Sequence, residues 1–270
     1  HPALRGVHVL GQRAAHRAGV LGKRQEVQHV HELVLVPLRR VLDALQVARR
    51  RVLHPARALL VLHGNRGRGG PRRLRLCLGR RVPGLALNGV EMLGEYAQIA
   101  RENAARNDIE FDVRQGDVSA RPTPFFDRSF HHVIMNPPYF AAEASSISPE
   151  AGRASGRSEQ AALSHWVDMA AKRLRPKGYL TVIQRAERLP DLLAALEGCL
   201  GSIVVQPLAP RAGRPAHLIL LRARKSGRAA FQLLSAQSLH SGDEHIQGQP
   251  DYVPEVSAIL RDGVAFSWRN

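Results

Sequence analysis

The first 91 residues contain no Ser, Thr, Ile, Met, Phe, Tyr or Trp, and Met92 is the first residue of any of these types. A chain of ordinary composition does not omit seven residue types over such a length. Acidic residues are scarce there too. Residues 1–85 hold seventeen Arg and one Lys against only Glu26, Glu32 and Asp43, a surplus of +15, whereas the remaining 185 residues carry +1 of the formal +16. One third of the chain thus holds nearly all the charge imbalance. Cys77 and Cys199 are too few and too far apart for a disulfide framework or a thiolate zinc site. No apolar run approaches the roughly 20 residues that cross a bilayer, and the best candidate, ALLVLHG from Ala58 to Gly64, is far too short. The arginine-rich start has no compact apolar segment followed by a small-residue cleavage site, so a secretory signal is not readable and a cytoplasmic, reducing setting is expected. Seven of the thirteen histidines lie at or before His63. The pair His29 and His31, with His54 and His63, has no acids or cysteines close by, so no metal site is expected.

What is present suffices for a core. With 270 residues, 44% of them hydrophobic, the chain suits one large domain or a domain with an appendage, and disorder throughout is excluded. No internal repeat is found. From about residue 85 strands and helices alternate. Leu85 to Glu91 reads as a short strand ending in a carboxylate. Glu95 to Asn107 has helical spacing, with Tyr96, Ile99 and Ala100 on one face, and Phe111 to Asp117 reads as a strand with its exit turn. His132 to Met135 reads as a buried strand stopped by two prolines, and the Ser/Gly/Ala-rich stretch Ala141 to Gln160 as a loop. Ala161 to Leu174 is the next expected helix, with Leu163, Trp166, Val167 and Ala170 on its apolar face and Pro176 to Gly178 terminating it. A strand (Tyr179 to Gln184), a short helix in LPDLLAALEGC, and two strands (Ser202 to Leu208, Ala216 to Lys225) joined by the turn APRAGRP complete the series. The expected fold class is α/β, a three-layer, Rossmann-like, mostly parallel sheet with an antiparallel hairpin at its C-terminal end.

The most informative string is Asn136-Pro137-Pro138-Tyr139, at the carboxyl end of an expected strand, where open α/β sheets bind ligands. An exocyclic amine on a purine, or a side-chain amide, needs acceptors for its two N–H groups so that the nitrogen lone pair can face an electrophilic methyl. The Asn136 side-chain oxygen and the Pro137 carbonyl can be those acceptors, with proline fixing φ and removing a competing donor. Tyr139 offers a ring on which a planar group can stack, worth about 1–3 kcal/mol for a base.

On these residues the chain resembles the class I S-adenosylmethionine (SAM)-dependent amino-methyltransferases, and within them the bacterial tRNA1(Val) adenine-N6 methyltransferases, which modify the adenine beside the anticodon. The resemblance covers about residues 77–270 and rests on LCLGRRVPGLALNGVE, ARENAARN, QGDV, VIMNPPY, LRPKGYLTVIQRAERL and PLAPRAGRPAHLILLRARK. It implies that Glu91 accepts hydrogen bonds from the ribose hydroxyls of SAM, that Asp117 lies beside the cofactor's adenine, that Asn136 to Tyr139 hold the target amine, and that Asn136 also borders the cofactor. It also implies direct in-line methyl transfer, driven by positioning more than by a strong base. The target base must leave its stack, at a cost of a few kcal/mol, and the loop from Ala141 to Gln160 is suited to close over it.

The resemblance fails at one element. The family's glycine-rich turn after the first strand, preceded by an acid, should occupy about residues 66–72, where the chain reads RGRGGPR. Gly67, Gly69 and Gly70 supply glycine density in the wrong phase, and arginine replaces the acid. Residues 1–75 are thus an atypical Arg/His-rich segment beside a methyltransferase domain at 76–270. They read either as a basic RNA-binding extension or as coding sequence translated out of frame upstream of about Leu76. The second is preferred, because shifted GC-rich glycine and alanine codons yield Arg and Pro, accounting for the surplus and the omissions together. Translating the upstream DNA in all frames tests it: no glycine-rich motif in another frame before LCLGRR would reject it. ALLVLHG can still take the place of the first strand.

The expected partner is tRNA, with Arg211 and Arg214 of the PRAGRPAH turn as candidate phosphate contacts. A glutamine-N5 protein methyltransferase and a guanine-N2 RNA methyltransferase are same-fold alternatives. An inactive basic RNA-binding protein is the alternative from another class, and it predicts salt-sensitive RNA binding without SAM. The oligomeric state is not legible.

Overall fold

The computed structural model describes residues 57–62, 78, 82, 84–118, 120, 124–137, 163–244, 251–262 and 264–268. The strands are β1 (Arg57–Leu62), β2 (Ala86–Glu91), β3 (Phe111–Gln115), β4 (Phe130–Met135), β5 (Leu174–Arg185), β6 (Gly201–Ala209), β7 (Leu218–Arg224), β8 (Gln232–Leu233) and β9 (Gln237–Ser238). The helices are α1 (Gly94–Ala105), α2 (residues 163–173), α3 (Leu189–Leu196) and α4 (Pro254–Arg261). All nine strands join one sheet in the order β3-β2-β1-β4-β5-β7-β6-β8, with β9 also on β6. The run from β3 to β5 is parallel, and β7 is antiparallel to both β5 and β6. The α/β class, the mostly parallel sheet and the terminal antiparallel hairpin are as expected, and β7 inserts between β5 and β6. β1 lies upstream of the boundary expected at residue 76, yet it is the central strand that pairs with both β2 and β4.

Strand side chains alternate between two buried faces, so the parallel strands read as continuous apolar runs. Leu59, Val133, Met135 and Val182 face one core with Trp166 and Val167 of α2 and Leu192 of α3. Ala58, Leu60, Ile134 and Ile183 face the other, with Ile259 of α4 and Phe266. The expected apolar face of α2 is buried as read. In α1 the buried residues are Ala97, Ala100 and Ala104, with Tyr96 and Ile99 only half-buried. Small side chains are what allow this helix to lie close to β3, where Ala97 and Ala100 meet Val113.

The segment Pro176 to Gly178 does not simply terminate α2. The helix ends at residue 173, and the segment lies inside β5, where the pairing jumps from Phe130↔Leu174 to His132↔Tyr179. Lys177 takes φ 65° and its N–H donates to the Lys225 carbonyl at 3.2 Å. Gly178 is required for space: a Cβ there would sit 2.9 Å from the Arg175 carbonyl oxygen and 3.0 Å from that of His131.

Near the start of β4, His132 is buried, and burial first, then His131 and Arg222, hold its pKa down at about 4 against an ordinary 6.5. The folded chain therefore keeps this imidazole neutral where the unfolded chain takes up a proton. Stability present above pH 6.5 is lost as the pH falls from 6.5 towards 4, by at most about 3 kcal/mol from this residue. Denaturant unfolding at pH 7 and pH 4.5 measures the loss, and His132→Gln is expected to flatten that part of the profile. An unchanged slope in the variant would assign the pH dependence to other groups.

Candidate active site

The parallel strands bring their carboxyl ends to one edge in register. Glu91, the last residue of β2, stands opposite Leu62 of β1 and Gln115 of β3, while Val61 stands opposite Met135 of β4. Glu91 and Asn136, the residue after β4, thus flank the end of β1. Strand order reverses there, with β2 and β3 on one side and β4 and β5 on the other, and such a reversal opens a crevice beyond the strand ends.

Glu91 is 0% exposed, and its Oε1 accepts the Leu93 N–H at 3.1 Å. A carboxylate held inside at a strand end, with acceptor capacity on both oxygens, suits a vicinal diol. Met92 and Leu93 follow directly and are 45% and 40% exposed, an apolar border suited to a flat heterocycle. The sequence reading missed both; their signal is their place immediately after the strand-end acid. The exit turn of β3 is tied to the same spot, because the Gly116 N–H donates to the Glu91 main-chain carbonyl at 3.0 Å. Only glycine fits there: a Cβ on Gly116 would lie 2.5 Å from Pro124 Cγ. Asp117 follows, exposed, on the edge that carries Glu91.

Asn136 Oδ1 is fully buried and accepts no hydrogen bond among the described residues, and Pro137 is buried beside it. A buried amide oxygen without a donor costs about 1–3 kcal/mol, and most such groups in folded proteins are satisfied. Such an oxygen can accept a donor brought by a ligand. Pro138, Tyr139, Gly67, Gly69, Gly70, the loop Ala141 to Gln160 and His29, His31, His54 and His63 lie outside the described residues. No group of three or more His, Cys, Asp or Glu suited to a metal occurs among the described residues, and no described helix is long and apolar enough to cross a membrane.

β6 runs parallel to β5, so the turn between β6 and β7 reaches the same edge. Its two arginines differ. Arg211 Nη2 lies 2.6 Å from Asp251 Oδ2, both side chains being about one-eighth exposed, and Arg211 also donates to the Ser241 and Gly242 carbonyls. His240 Nδ1 lies 2.7 Å from the other Asp251 oxygen and its ring stacks on Tyr252, so Arg211 anchors the C-terminal segment to the end of β6. That partner is forty residues away in sequence. Arg214 stands exposed.

No protein-family model matches the chain, and no curated protein matches it in sequence. Solved structures do. A predicted O-methyltransferase from Agrobacterium tumefaciens is similar with a TM-score of 0.63 at 22% identity, over 86% of this chain and 99% of that one. The methyltransferase subunit of a type I restriction-modification system from Streptococcus thermophilus gives 0.57 at 15% identity, over 84% of this chain and 52% of its own. A proposed class I SAM-dependent methyltransferase from Listeria monocytogenes gives 0.50 at 12%, over 86% and 68%. At these identities the likeness is one of fold, and the fold is the Rossmann-like fold of the class I methyltransferases.

Proposed function

We propose that the chain is a SAM-dependent methyltransferase that methylates an exocyclic amino nitrogen, adenine N6 of a tRNA being the substrate that fits its sequence best. The observation that carries this reading is the buried Asn136 Oδ1, without a hydrogen-bond partner among the described residues, at the carboxyl end of β4 where the strand order reverses. An acceptor without a donor at that position suits an incoming N–H. Glu91, with Met92 and Leu93 beside it, suits the ribose and heterocycle of the cofactor, and Asp117 on the same edge is assigned to the adenine side. Gly67, Gly69 and Gly70 are assigned to the methionine side.

SAM supplies, when bound, a methyl group on a sulfonium that is open to in-line displacement. This chain's own residues orient and exclude water. Asn136 Oδ1 accepts one N–H of the target amine, the Pro137 carbonyl is assigned the second, and the lone pair is thereby turned away from both acceptors. The buried Asn136 Oδ1 and the buried Pro137 beside it keep water from competing, and the aromatic face of Tyr139 is assigned to hold the planar group. The proton released from the nitrogen passes to solvent. Catalysis arises from orientation and electrostatic preorganisation, with Arg214, and Arg211 if it exchanges Asp251, as phosphate contacts.

Labelled SAM supplied with unmodified tRNA and, separately, with a glutamine-bearing release-factor peptide tests the assignment. Label in N6-methyladenine of the tRNA is the expected result. Label on the peptide alone, or on guanine N2, would overturn the adenine reading, and salt-sensitive RNA binding with no SAM binding would reject the enzyme altogether.

A further inference from the structure

The opposite edge of the sheet, where β1, β4 and β5 begin and β7 ends, gathers cations that the fold does not neutralise. Arg57, Arg175, Lys177, Arg222 and Arg224 stand there, and none forms an ion pair among the described residues. Elsewhere five basic groups stand in close ion pairs: Arg128 with Asp112, Lys172 with Asp168, Arg185 with Glu187, Arg188 with Asp191 and Arg211 with Asp251.

Two of these cations, Arg222 and Arg224, lie over aromatic rings. Arg222 lies over Trp268 at 4.6 Å and over Tyr179 at 5.5 Å, and Arg224 lies over Tyr179 at 5.3 Å. The His132 ring stacks with Tyr179 at 6.0 Å. On the other side of β4, Arg175 approaches His131 Nε2 at 3.1 Å, and the Arg57 N–H donates to His131 Nδ1 at 3.0 Å. The guanidinium of Arg222 is half-buried without a hydrogen-bond partner among the described residues, and burial holds its pKa below the ordinary value. Trp268 Nε1, which can only donate, is buried beside it with no acceptor among the described residues. Half-buried cations and orphaned donors are costly unless an anion completes the site. Arginine laid flat on a ring keeps its in-plane N–H groups for such an acceptor, and phosphate geometry matches that fork.

We propose that this edge is a second RNA contact, holding backbone phosphates of the same RNA whose target base enters the Asn136 site. The choice of RNA rests on the function proposed above. β4 is six residues long, so the two edges lie roughly 20 Å apart at about 3.3 Å per strand residue. A folded RNA spans that distance and a short oligonucleotide confined to the Asn136 site does not.

Anisotropy of labelled unmodified tRNA between 50 and 200 mM salt tests the contact with the full chain, the double variant Arg175→Ala/Lys177→Ala and the single variant Arg222→Ala. Both altered side chains of the double variant are exposed, so its melting temperature should match the parent. Each lost phosphate contact lowers the slope of log affinity against log salt by about 0.7–0.9. The double variant should lose about 1–2 units of slope and roughly tenfold in low-salt affinity. Methylation of a short single-stranded oligonucleotide should be unchanged. Unchanged slope and affinity in both variants would overturn the proposal, as would loss of oligonucleotide methylation, or variants that lose binding to anionic phospholipid vesicles while keeping RNA. A parent protein that methylates no RNA, yet shows the slope loss in the variants, would leave this contact standing and remove only the enzymatic reading.

Discussion

Replacing Asn136 by alanine is expected to lower methyl transfer by about 10²–10³-fold while leaving the melting temperature unchanged or slightly raised. The two halves of this expectation come from one atom. Asn136 Oδ1 is buried and makes no hydrogen bond among the described residues, so alanine removes an uncompensated polar group and no hydrogen bond of that oxygen to them. Removing such a group does not destabilise the fold, in contrast to truncating one member of a bonded pair. In the proposed reaction the same oxygen aligns the target nitrogen, and one misdirected polar contact at a reacting centre costs that order of rate. SAM affinity should change much less than turnover. Thermal melts, calorimetry with SAM and single-turnover methylation separate the three quantities. A variant that loses stability in proportion to activity would show Asn136 to be a structural residue.

Glu91→Ala is expected to weaken SAM binding by about 10²-fold. Hydrogen bonds to a charged group contribute about 1.5–3 kcal/mol each, and loss of roughly 3 kcal/mol corresponds to that factor. The carboxylate also accepts the Leu93 N–H, so the alanine variant should in addition melt at a lower temperature. Glu91→Gln keeps an acceptor for Leu93 and removes the charge, and should therefore retain stability with an intermediate loss of affinity. Calorimetric titration with SAM reads both variants. Glutamine and alanine variants that bind SAM as tightly as the parent would remove Glu91 from the cofactor site.

Most of the strand and helix order was legible because burial on both faces writes long apolar runs for the central strands, and because Asn136-Pro137-Pro138 ends β4 by backbone chemistry alone. The misreadings have local causes. α1 turns Ala97, Ala100 and Ala104 inward, where periodicity favoured the bulkier Tyr96 and Ile99, because close approach to β3 rewards small side chains. Pro176 to Gly178 carries the signature of a helix stop, yet it belongs to a strand excursion whose geometry depends on Lys225 and the His131 carbonyl.

By itself the sequence determined the class of fold and the positions of Glu91, Asp117 and Asn136 at the carboxyl ends of strands, since each of these follows from local pattern, and it motivated the amine-directed role proposed for Asn136 and Pro137. Only the tertiary structure decided which charges are spent. Arg211 and Arg222 are the same residue type in neighbouring basic strings, but Asp251 neutralises the first across forty residues of chain while Trp268 and Tyr179 cradle the second with no acid among the described residues. The overall surplus of +16 is a sum over the chain, and a sum carries no information about pairing in space. Whether an arginine is neutralised depends on distances that pairing across the sheet sets and that sequence separation does not record.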